Sequence, residues 1–94
     1  MSAYFIANIR IHDEDEYLKY LENVDSVFSK FNGEYLAVDS NPVVLEGNWD
    51  YSRLVLIKFP DRDSLCKWYQ SDEYQAIVKH RLLAADCDTI IVGN

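Results

Sequence analysis

Glu46, Trp49 and Arg53 lie within a few residues of one another near the middle of the chain. A guanidinium offers a rigid fork of donors that suits a carboxylate or an enolate oxygen. A carboxylate within reach of the same ligand can act as a base or as a hydrogen-bond acceptor. On this reading Arg53 holds an anionic oxygen, Trp49 walls the pocket and Glu46 moves a proton. A structural reading competes with it: Glu46 and Arg53 pair across a hairpin and Trp49 packs on a partner subunit. Exposed pairs of that kind contribute a few tenths to about 1 kcal/mol. A second constellation is Tyr69, Tyr74 and Arg81. Tyr74 and Arg81 are seven residues apart and can share one helix face. There they could orient an oxygen-rich small molecule. The competing reading makes both tyrosines core or interface aromatics and pairs Arg81 with an acid on the acidic surface.

His12 and His80 are the only imidazoles. Neither has a serine or cysteine partner at a recognisable spacing, so a nucleophilic triad is not supported. His80, beside Arg81, is the better candidate base, against a plain role as an exposed helix residue. His12, next to Asp13, reads as surface. Lys58 could be a desolvated amine able to form an imine, or a lysine snorkelling from a strand end. No metal site is expected, because two histidines with scattered carboxylates do not make one. No cofactor is expected either. With Gly33, Gly47 and Gly93 as the only glycines, there is no glycine-rich loop for phosphates or dinucleotides.

The 94 residues make one domain, spanning 1–94. A chain this short has a marginal core, and a partner subunit would add to it. The net charge of −7 opposes a phosphate backbone, so nucleic acid is not an expected partner. No apolar stretch reaches membrane-spanning length, and the N-terminus lacks a basic leader pattern. Cys66 and Cys87 are far apart and read as reduced structural thiols of a cytoplasmic protein.

The elements that must position these groups follow from periodicity. Ala3 to Ile11 alternates, with Ala3, Phe5, Ala7, Ile9 and Ile11 on one face and Tyr4, Ile6, Asn8 and Arg10 on the other. Asp13 is placed as an N-cap, with Glu16 completing a capping box. Tyr17, Leu18, Tyr20, Leu21, Val24, Val27, Phe28 and Phe31 follow at helical spacing. Asn32-Gly33 closes the helix, with Gly33 as its left-handed residue. Glu34 to Glu46 is extended and interrupted near Pro42, as an edge strand would be. Residues 47–52 are the turn, and Arg53 to Phe59 is the next strand. Asp61 or Asp63 caps a helix carrying Leu65, Trp68 and Tyr69. Ser71 caps a third, from Asp72 to about Leu83. Cys87 to Val92 is the last strand.

This β-α-β-β-α-β order is the ferredoxin-like α+β arrangement, one antiparallel sheet with helices on one face. The bare face would carry Tyr4, Ile6, Leu36, Leu54 and Leu56, too apolar for water. Packing it on a second copy makes a dimeric α/β barrel, a homodimer through the sheet face. Asn8, Arg10 and Lys58 would then lie in a semi-enclosed space.

Tyr20, Gly33, the Leu45-Glu46-Gly47-Asn48-Trp49 run, Arg53, Phe59-Pro60, Trp68-Tyr69, Ser71, Glu73-Tyr74-Gln75 and Arg81 together form a specific pattern. Over nearly its whole length the chain resembles the family called domain of unknown function thirteen-thirty, within the dimeric α/β-barrel superfamily. The resemblance implies the same fold and dimerisation, and no established activity. Wider relatives on this fold include cofactor-free monooxygenases, isomerases and dehydratases, and also ligand binders. Two positions depart from the family pattern: Val38 where members often carry arginine, and Lys58 where they often carry glutamate.

The first functional reading is a homodimer that binds a small carboxylate or aromatic compound between sheet and helices, with cofactor-independent proton abstraction or isomerisation as its chemistry. Glu46 and His80 are its candidate catalytic residues. Trp49, Arg53, Tyr69, Tyr74 and Arg81 are its candidate ligand-binding residues. The alternatives are a non-catalytic binding dimer and a structural dimerisation module. A pocket lined by both Arg53 and Tyr74 separates the first two from the third.

Overall fold

A computed structural model describes residues 2–93. The period-two alternation buries Ala3, Phe5, Ala7 and Ile9 and leaves Tyr4, Ile6, Asn8 and Arg10 half-exposed along β1 (Ala3–Ile11). Helix α1 (Glu14–Phe28) starts where the Asp13 carboxylate accepts the Glu16 N–H at 3.1 Å. The reciprocal half of the capping box is not made. The Asp13 N–H donates to the Ala84 carbonyl at 3.1 Å, and the Glu16 carboxylate turns to His80 and Lys19.

The helix stops at Phe28, earlier than the Asn32-Gly33 signal implies, and the chain leaves through two tight bonds, Lys30 N–H to Val27 and Phe31 N–H to Phe28. Gly33 is not left-handed. Its requirement is space: a Cβ there would stand 2.7 Å from the Phe59 ring and collide with Phe28.

Strand β2 (Glu34–Asp39) pairs with β3 (Arg53–Phe59). Its irregularity falls between Tyr35 and Ala37 rather than at Pro42. Residues 40–52 form a long irregular connection in place of a tight turn. Gly47, with φ of +83°, supplies the left-handed residue this connection needs. Helix α2 (Arg62–Gln70) is capped by Asp61. Ser71 ends α2 and starts α3 (Asp72–Ala84): its Oγ donates to the Trp68 carbonyl at 2.8 Å and accepts the Tyr74 N–H at 3.1 Å. Strand β4 (Ala85–Gly93) begins two residues before the expected start, because pairing of Ile11 with Ala85 extends the β1–β4 ladder.

The sheet is antiparallel in the order β2-β3-β1-β4, with the helices on one face, which is the ferredoxin-like fold. The core between sheet and helices centres on Trp68, edge-on to Phe5 and Phe28 at 5.2 and 5.8 Å. On the other face Tyr4, Ile6, Leu54 and Leu56 are half-exposed and Ile90 and Val92 are exposed. Leu36 falls at the bulge and has no cross-strand partner in the register. The end of the long connection is tied to β1: Arg10 Nε donates to the Asp50 carbonyl at 2.7 Å and the Ser52 N–H to the Ile9 carbonyl at 2.8 Å. Among the described residues no helix is long and apolar enough to cross a membrane.

Candidate functional site

Register places Arg53 at the start of β3, opposite Ile9, on the face that carries Val55, Ile57 and Phe59 toward the helices. From the other side α1 presents Tyr17, Tyr20, Leu21 and Val24, and α3 presents Arg81. Between them lies a cavity of about 30 Å³, bordered by Tyr17, Tyr20, Arg53 and Arg81 over a floor of Ala7, Ile9 and Val55. A wider cleft of about 410 Å³ adjoins it, lined by Leu21, Val24, Asp25, Tyr35, Val38 and Arg53. Leu21, Val24, Tyr35 and Arg53 border both spaces, so the cleft is the mouth of the cavity. Val38 stands at this mouth.

Arg81 is only 2% exposed. Its Nη2 donates to the Tyr74 hydroxyl at 3.5 Å, and its guanidinium lies 5.6 Å from the centre of the Tyr20 ring. Its buried Nη1 has no partner among the described residues, and neither has the buried Nε of Arg53, whose guanidinium lies 5.8 Å from the Tyr17 ring. Burial presses the Arg81 pKa down while Tyr74 and Tyr20 press it up, and the balance lies above the ordinary value. Arg81 is therefore a cation at any physiological pH. Among the described residues no carboxylate lines the inner cavity. A buried charge with an open donor is costly unless something answers it.

The Tyr20 and Tyr74 hydroxyls are 2.7 Å apart. Burial raises the pKa of Tyr20 well above its usual value, and raises those of Tyr17 and Tyr74 against the opposing pull of nearby arginine. All three hydroxyls keep their protons at neutral pH. The Tyr74 oxygen accepts from Arg81, so its own proton is best satisfied by Tyr20. That order leaves the Tyr20 O–H, on the cavity wall, for a further acceptor. At the mouth the Tyr35 hydroxyl donates to Asp25 at 3.3 Å, holding a carboxylate at the rim.

Of the residues singled out from sequence, Arg53 and Arg81 border the cavity together. Tyr74 does not line it but stands one layer behind Tyr20, bonded to Arg81, so the expected pocket bordered by both Arg53 and Tyr74 is not formed among the described residues. Tyr69 lies on the far side of Tyr74, at 5.6 Å between ring centres, and borders a separate groove with Cys66 and Ile91. Glu46 and Trp49 stay on the long connection and border a shallow groove with Leu54, on the face away from the helices. The cross-hairpin pair of Glu46 with Arg53 is not formed, because there is no tight hairpin to bring them together. The acidic partner expected for Arg81 at the surface is replaced by Tyr74 inside. His80 points away from Arg81 and binds Glu16, Nδ1 to Oε2 at 2.5 Å. Tyr17, Tyr20, Tyr35 and Asp25 carried no functional assignment from sequence. The available signal was the two hydroxyls within an otherwise hydroxyl-free apolar stripe of α1, since a buried tyrosine needs a partner for its oxygen.

A protein of unknown function from Rhodopseudomonas palustris superposes with a TM-score of 0.80 at 18% identity, covering 99% of this chain and 82% of the other. A dimeric ferredoxin-like protein of unknown function from Jannaschia sp. CCS1 gives 0.82 at 12% identity, with both chains covered in full (100%). SnoaB, a cofactor-independent oxygenase from Streptomyces nogalater, gives 0.70 at 11% identity, covering 99% and 92%. At these identities the likeness speaks to fold. No curated protein matches the chain. The family described as domain of unknown function (DUF1330) matches residues 2–94.

Proposed function

The chain belongs to the DUF1330 family, and on that premise we propose that it is a homodimer binding a small carboxylate-bearing molecule in the cleft between α1 and the sheet. The observation that carries the reading is a pair of unpartnered donors, Arg53 Nε and Arg81 Nη1, on two residues that line one cavity with no carboxylate among its described lining. A carboxylate supplies what both lack, in charge-assisted bonds of the strong kind. The Tyr20 hydroxyl adds a neutral donor. The reading is binding rather than turnover. The hydroxyls around the inner cavity hold their protons, the candidate bases Glu46 and His80 lie outside the cleft, and the Asp25 carboxylate sits at its rim rather than in the inner cavity.

Dimerisation belongs to the same proposal. The sheet face away from the helices carries Tyr4, Ile6, Leu54, Leu56, Ile90 and Val92, a contiguous apolar surface that a second copy would cover. Similar structures described as dimeric support it. A cytoplasmic location is supported by the two unpaired thiols, Cys66 and Cys87.

Thermal-shift titration with small carboxylates is the test. Stabilisation that saturates, and that Arg53→Gln reduces at least tenfold in affinity, is the expected result. Carboxylates that leave the melting temperature unchanged, or bind Arg53→Gln equally well, would overturn the proposal.

A further inference from the structure

We infer that the ligand is an amphipathic monocarboxylate, seated with its head in the inner cavity and its apolar body in the mouth, and that Asp25 turns away a second acidic group. The inference rests on the anion-binding reading above and names the class of molecule.

Three observations carry it. The inner cavity, at about 30 Å³, has room for one compact polar group and nothing more. Arg81, buried to 2% exposure with an unpartnered Nη1, and Arg53 make that group an anion. The mouth is an order of magnitude larger, about 410 Å³, and offers Leu21, Val24 and Val38 as its walls. An occupant that satisfies both spaces has an acidic end and an apolar remainder. The charge at the rim completes the selection. Asp25 is held across the mouth by the Tyr35 hydroxyl, between α1 and β2. A dicarboxylate seated by one end would bring its second carboxylate toward Asp25. Like charges a few ångströms apart at a protein surface repel by enough to cost roughly tenfold in affinity.

Isothermal titration with acetate, octanoate and suberate separates these terms, because the last two share a chain length and differ by one carboxylate. The expected order is octanoate tightest, with acetate and suberate each at least tenfold weaker. Asp25→Asn should bring suberate to within about twofold of octanoate, and Arg53→Gln should weaken octanoate and acetate together. Both substituted positions are at least partly exposed, and circular dichroism verifies that the variants fold. Equal binding of acetate and octanoate overturns the apolar mouth. Equal binding of suberate and octanoate in the unmodified protein, or an unchanged ratio in Asp25→Asn, overturns the role of Asp25. If acetate and octanoate both fail to bind, the anion site itself is wrong and the inference falls with it.

Discussion

The hydroxyls of Tyr20 on α1 and Tyr74 on α3 meet at 2.7 Å, and the Arg81 guanidinium donates to the second of them. This contact joins the two helices behind the candidate cavity. It also gives a buried cation its one side-chain hydrogen bond among the described residues.

Removing the Tyr74 oxygen leaves both Arg81 Nη2 and Tyr20 unanswered. Tyr74→Phe is expected to cost about 1–3 kcal/mol, the range for stranding buried polar groups. In a domain of this size each kcal/mol lowers Tm by roughly 4–8 °C. Urea denaturation of Tyr20→Phe, Tyr74→Phe and the double variant should reveal a coupling above about 0.5 kcal/mol. Additive losses would show that the two hydroxyls act independently.

Gly33 and Gly47 are glycines for different physical reasons, and substitutions tell them apart. At Gly33 the backbone is ordinary and the ring of Phe59 stands where a Cβ would go. Gly33→Ala should lose about 1–3 kcal/mol to overpacking, and Gly33→Asn more. At Gly47 the space is open and φ is +83°. Gly47→Ala should lose about 1–2 kcal/mol, and Gly47→Asn should recover much of it, since asparagine tolerates the left-handed region. Chemical denaturation of the four variants checks both halves.

Glu16 titrates below the ordinary carboxylate value of 4.5, because His80 and then Lys19 hydrogen-bond its ionised form. Its contribution to stability is fully present above that ordinary value and is lost as pH falls through the lower folded-state value. The unmodified protein should therefore exceed Glu16→Gln in stability at pH 6, and the difference should shrink below about pH 4.5. Urea midpoints between pH 6 and 3 measure it. A gap that stays constant over that range would mean Glu16 acts through packing alone.

Leu56 lies mid-strand on the uncovered face of the sheet, opposite Ile6. In a two-fold dimer any charge placed there appears twice. Leu56→Glu should weaken association at least tenfold by sedimentation equilibrium while the far-ultraviolet spectrum keeps its folded shape. A variant that dimerises as before would locate the interface elsewhere.

Local chemistry alone determined the element order. Alternation set the faces of β1 and β3, and Asp13, Asp61 or Asp63, and Ser71 marked the three helix starts, because caps and periodicity depend on near neighbours; the structure selects Asp61 for the second. Arg53, Tyr74 and Arg81 were also legible as candidates from residue type and spacing. Their grouping was decided only by tertiary structure. Strand register turned Arg53 toward the helices while the long connection carried Glu46 and Trp49 to the opposite face. The packing of α1 on α3 put Tyr20 between Tyr74 and the cavity and drew His80 outward to Glu16. Gly33 was legible as a necessary glycine but for the wrong reason, since the ring of Phe28 folds back on it from the end of α1 and the ring of Phe59 arrives from β3, distant in sequence. A cavity has no sequence pattern of its own. It exists where side chains from separate elements fail to meet, and only the assembled fold decides which donors are left facing it.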